Sequence, residues 1–162
     1  MLRLLSLAVI AGLTLTVADA SEAASKQVGR AEMGKHVYEA QCASCHGARA
    51  EGAPKWREPD AGGEMPAPPH DAQGHTWKHG DGMLYRIVRD GWRDAFNQTQ
   101  RLTMPPFADK LSPNEIEAVI EYLKTLWTPQ QRRFQRDESR KEPFPPEARE
   151  RPDNFQRKGP RP

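Results

Sequence analysis

A chain of 162 residues holds one ordinary domain with extensions, not two full ones. Apolar residues make up 36% of it and prolines number 15, so part of the sequence packs a core and part does not. A formal net charge of +2 is too small to argue for a nucleic-acid partner.

The first residues read as an address. Arg3 supplies a positive start, and Leu4 to Val17 form an almost unbroken apolar run. Ala18-Asp19-Ala20 then sets small residues where an export peptidase reads, so cleavage is expected before Ser21. The run is roughly 14 residues, short of the ~20 that span a bilayer, so residues 1–20 read as a cleavable signal and not an anchor. No cysteine follows to carry a lipid. The expected product is exported to the periplasm, without stable membrane insertion.

Ala31 to Gln41 is proline-free and helical in pattern, with Gly34, Val37, Tyr38 and Gln41 along one face. Gly34 inside a helix costs about 1 kcal/mol against alanine, which points to close packing there. Then comes Cys42-Ala43-Ser44-Cys45-His46, a C-x-x-C-H sequence and the attachment signature of a c-type haem. Two intervening residues let both sulfurs reach the vinyl groups on one porphyrin edge, and His46 turns under the ring to hold the iron. A redox dithiol has no need of His46 and belongs to a βαβ pattern absent here. A structural zinc site wants a second ligand pair. A disulfide between Cys42 and Cys45 would close a very short loop.

Further along, Asp81 is expected to cap a helix with Leu84, Ile87 and Val88 on its inner face, ended by Gly91. Leu111 to Trp127 is the clearest helix: Ser112 caps it, Pro113 suits the first turn, and Glu115 completes a capping box. Its apolar stripe is Ile116, Val119, Ile120, Leu123 and Leu126.

Over residues 28 to 127 the chain resembles a class I, single-haem cytochrome c of the bacterial periplasmic kind. The residues carrying the likeness are Gly34 and Tyr38, the run Cys42 to Gly47, the helix ending at Gly91, Met104-Pro105-Pro106-Phe107, and the last helix through Tyr122 and Trp127. The resemblance implies an all-α cytochrome c fold, three to five helices around one covalently attached haem, with irregular loops between. It also implies that the first and last helices cross at Gly34 and Tyr122.

The iron's sixth position has several claimants. Met104 is favoured because Pro105-Pro106 stiffens the segment presenting it and because the family puts its distal ligand just before the last helix. Met33 lies too near the motif, Met83 reads as core or surface, and Met65 is the leading rival in a Pro/Gly-rich loop. His70, His75 and His79 lie in a polar loop without helical pairing and read as backbone-bonding residues, not as a copper site. Trp77, Trp92 and Phe107 are the aromatic candidates for the haem surround.

With His46 proximal and Met104 distal, the soft thioether raises the potential and no coordination site stays open. That pattern suits a single-electron carrier between a redox donor and acceptor, and not an enzyme. The alternatives are a haem subunit held permanently by a larger oxidoreductase, or a peroxidase or ligand sensor with an open sixth site. Residues 21–127 form the expected cytochrome domain. Residues 128–162 carry ten Lys/Arg against six Asp/Glu and many prolines, and read as a disordered or extended tail whose basic charge suits docking on an acidic partner or anionic surface.

Overall fold

The structure is a computed structural model describing residues 5–149, with side chains from residue 20 to residue 148. Its five helices are α1 (Leu5–Gln41), α2 (Ala43–His46), α3 (Asp81–Asp90), α4 (Pro113–Thr125) and α5 (Pro129–Lys141), with short 3-10 turns at Thr76–Lys78 and Pro146–Arg149. Among the described residues there is no strand, only an isolated bridge between Trp92 and Met104. The fold is all-α.

No proline interrupts α1, and it runs far upstream of the expected Ala31 start. Residues 20–29 are exposed, so the packed part of α1 begins near Arg30, which ion-pairs with the buried Glu117 of α4. The expected cleavage point before Ser21 lies within this helix. Among the described residues no helix is long and apolar enough to cross a membrane.

The core forms where α1 crosses α4. Val37 and Tyr38 from α1 meet Ile116, Val119, Ile120 and Leu123 from α4, with Leu84 and Tyr85 of α3 closing one side. The crossing is tight at Gly34, where a side-chain carbon would overlap the Ala118 carbonyl and stand 2.9 Å from Tyr122 Cβ. The Gly34–Tyr122 crossing expected from the resemblance is therefore present. At the start of α4, the Ser112 hydroxyl accepts from Glu115 N–H, while the Glu115 carboxylate accepts from Ser112 N–H at 2.8 Å.

Two expectations need correction. Asp81 does not cap α3: Gly80 holds the cap position without a side-chain bond, and Asp81 turns inward to Lys124 at 2.8 Å and to the Gln135 amide at 2.7 Å. A carboxylate facing an ammonium and an amide donor gains more there than from a backbone N–H at the helix end.

The chain beyond residue 128 is not an extended tail as far as residue 149. Thr128 and Gln131 form a second capping box with Pro129 in the first turn, starting α5. Gln135, 1% exposed, anchors α5 by donating to Asp81, with a second bond inside the helix to Ser139 Oγ at 2.8 Å, and Phe144 and Ala148 then enter the core. Phe144 is buried, while Phe134 stays half exposed against Trp77. Phe155 and the rest of the tail lie outside the described residues.

Candidate functional site

The C-x-x-C-H residues follow α1 directly. Cys42 N–H bonds the Tyr38 carbonyl at 2.9 Å, and His46 N–H bonds the Cys42 carbonyl at 3.0 Å, which closes the single turn α2. Both cysteines are free thiols, Cys42 half-buried and Cys45 exposed. Burial, and then the neighbouring Cys45, push the Cys42 thiol up to about 11.

His46 is buried, and its Nδ1 lies 2.8 Å from the carbonyl oxygen of Pro68. A carbonyl only accepts, so the proton sits on Nδ1 and the lone pair of the neutral ring is on Nε2. Burial, against the opposing pull of the Pro68 bond, holds the imidazole below the usual histidine range and keeps it neutral. An oriented, neutral imidazole with a free Nε2 is the form in which histidine binds a metal.

The ring of His70 stacks on that of His46, with centroids 4.0 Å apart and planes 29° from parallel. The His70 ring therefore covers a face of the His46 imidazole. His70 meets Thr76 Oγ1 at 2.8 Å through Nδ1, and its carbonyl accepts from Trp127 Nε1 at 2.8 Å. His75 and His79 contact each other edge to face at 5.6 Å, and Trp56 stacks on His75. Among the described residues no group of three or more His, Cys, Asp or Glu side chains could hold a metal ion.

Met104 enters from a separate segment. Its N–H and carbonyl pair with Trp92 at 3.1 and 2.9 Å, making the isolated bridge. The segment passes so close to Gly91 (φ +81°) that a side-chain carbon there would sit 2.8 Å from the Met104 carbonyl oxygen. Glycine serves at that point both to turn the chain after α3 and to admit the Met104 strand. Met104 is half-buried and packs on the same hydrophobic cluster as Cys42 and Ala43. Met33, Met65 and Met83 are also half-buried.

Of the proposed haem-surround aromatics, Phe107 is buried, Trp77 is half-buried with its Nε1–H on the Gly74 carbonyl, and Trp92 is exposed. Trp92, Phe96 and Leu102 form an exposed apolar group on the segment that ends in Met104.

Two features of the site were not legible in the sequence. The Pro68 carbonyl is a backbone acceptor 22 residues from His46, and no residue type announces it. The His46–His70 stack likewise depends on the course of the loop between them.

This donor set fits a covalently held haem: two thiols two residues apart, an adjacent imidazole with Nε2 free, and an apolar segment bearing a thioether. Searches of curated proteins and of solved structures returned no match. The cytochrome c family model matches residues 31–127, and the chain therefore belongs to the cytochrome c family, whose cofactor is a covalently attached haem c with its iron.

Proposed function

We propose that the chain is a single-electron carrier of an exported, periplasmic electron-transfer chain, and not an enzyme. In this reading Cys42 and Cys45 form the haem thioethers, and His46 and Met104 are the axial ligands. The observation that carries it is the Nδ1–H of His46 committed to the Pro68 carbonyl, which leaves Nε2 as the donor atom.

When bound, the haem supplies reversible one-electron chemistry at its iron. The chain's own residues bury the proximal imidazole, fix its tautomer, and hold the Met104 backbone by both of its hydrogen-bonding groups. With His46 and Met104 as its protein ligands the iron would keep no open position, which favours a carrier over a peroxidase or a ligand sensor. Arg3, the apolar run Leu4 to Val17 and Ala18-Asp19-Ala20 support export and cleavage before Ser21. On the outer face of α5, Arg133 and Arg136 are exposed, which supports docking on an acidic redox partner.

An absorption spectrum of the oxidised protein tests the ligation. The weak far-red sulfur-to-iron band is expected in the native protein, and Met104→Ala should remove it while keeping the covalent haem. A native spectrum without the band, or a Met104→Ala spectrum that retains it, refutes His/Met ligation.

A further inference from the structure

Asn97 is 5% exposed, lies in the loop between Trp92 and Met104, and uses both ends of its side-chain amide. Its Oδ1 accepts from Met65 N–H at 2.7 Å, and its Nδ2 donates to Thr103 Oγ1 at 3.2 Å, one residue before Met104. Its backbone carbonyl accepts from the Arg93 guanidinium at 3.0 Å, and the same guanidinium reaches the Thr99 carbonyl at 2.6 Å. The loop is thereby filled from within by Arg93 and closed at its mouth by the Trp92–Met104 bridge.

It is also tied across to residues 63–65. Gln98 N–H donates to the Gly63 carbonyl at 2.8 Å, and the Thr99 hydroxyl donates to the buried Glu64 carboxylate. Six polar links thus bear on the loop, three within it and three to residues 63–65, while its apolar side chains Phe96 and Leu102 are exposed and give it no anchorage. Asn97 alone joins both ends of this arrangement, since one amide holds the Met65 strand and the residue next to Met104.

We propose that Asn97 is the positioning residue for the distal ligand: a buried clasp that fixes the Met104 segment so that the thioether stays on the metal. The inference rests on Met104 being that ligand. A loop pinned by hydrogen bonds to a neighbouring loop releases its ligand by local opening, not by global unfolding. The clasp therefore sets how often the sixth position opens to an external ligand.

The test measures imidazole binding to the oxidised full-length haem protein, followed by loss of the far-red band. Asn97→Ala and Thr103→Val, the second removing only the Thr103 hydroxyl, should each bind imidazole about tenfold more tightly than the native protein, equivalent to about 1.4 kcal/mol. Asn97→Asp, which keeps an acceptor for Met65 N–H and can accept from the Thr103 hydroxyl, should recover part of the native affinity. If Asn97→Ala does not fold, Thr103→Val decides. Native imidazole affinity in Thr103→Val, or in a folded Asn97→Ala, overturns the clasp. Met104→Ala separates the two readings: persistence of its far-red band removes Met104 as ligand, whereas its loss with unchanged imidazole affinity in the clasp variants removes the clasp alone.

Discussion

Burial lowers the imidazole range at several histidines of this chain, inside and outside the ligand set. His46 is held neutral by burial, against the Pro68 bond, which favours the charged ring but fixes the tautomer, and that state suits a ligand. His75 and His79, outside the ligand set, are also held below the usual histidine range. Burial is the largest cause at both. Lys78 and Arg57 add to it at His75 against Asp94, and His75 and Lys78 add to it at His79 against Glu142. A lowered folded-state value means that the unfolded chain binds more protons as the pH falls below about 6.5. Stability is then complete above that pH and is lost as the pH drops through 6.5 toward the folded values. Urea midpoints should therefore fall between about pH 7 and pH 5, and the double substitution His75→Asn/His79→Asn should flatten that fall. An unchanged slope in the double variant would mean that neither ring titrates with folding.

At the level of helices, the contact between α1 and α4 is set by what Gly34 lacks. Alanine is the better helix former by about 1 kcal/mol, so propensity alone predicts that Gly34→Ala stabilises. The added carbon would meet the Ala118 carbonyl, which is backbone and cannot rotate away. Overpacking of this kind costs typically about 1–3 kcal/mol. Gly34→Ala should lower the thermal midpoint, and a rise would show that the helices separate freely. Removing the cap hydroxyl by Ser112→Ala should cost about 1 kcal/mol in urea unfolding, with little effect on the haem spectrum. Ser112-Pro113-Asn114-Glu115 made that start readable in advance. Thr128-Pro129-Gln130-Gln131 follows the same rule, yet α5 was not foreseen, because Gln, Arg, Asp and Glu dominate it and it lacks an apolar stripe. Its anchor is a buried amide, and a glutamine in a charged sequence gives no sign that it will be buried. The motif at Cys42 to His46 was legible because covalent chemistry fixes residue spacing. The Pro68 carbonyl and the Asn97 links were not, since backbone acceptors and amide contacts depend on where loops meet.

For the whole molecule, the question is whether α5 is a docking arm or part of the fold. The helix lies outside the family match, which ends at residue 127, but its contacts are those of a structural element. Gln131 Nε2 donates to the Ala72 carbonyl at 2.9 Å, Gly82 N–H donates to the Glu142 carbonyl at 2.8 Å, and Arg86 pairs with Glu142. The first of these bonds holds the loop from His70 to Asp81, whose His70 ring covers His46, and the other two hold α3. Truncation after Thr128 removes Phe144 from the core, at roughly 1.5–3 kcal/mol. It also removes the Gln135 hydrogen bonds, at about 1 kcal/mol each. A loss of that size should lower the thermal midpoint by more than about 10 °C. An unchanged midpoint would mean that α5 only rests on the surface. Charge reversal at Arg133 and Arg136 addresses docking without touching the core, because both side chains are exposed. Arg133→Glu/Arg136→Glu should keep the native midpoint and slow electron transfer to an acidic partner at low salt. The difference should vanish near 1 M salt, where charges more than about 3 Å apart are screened. A native midpoint with no change in rate at low salt would leave α5 as a structural brace alone, and the exposed arginines as ordinary solvated surface.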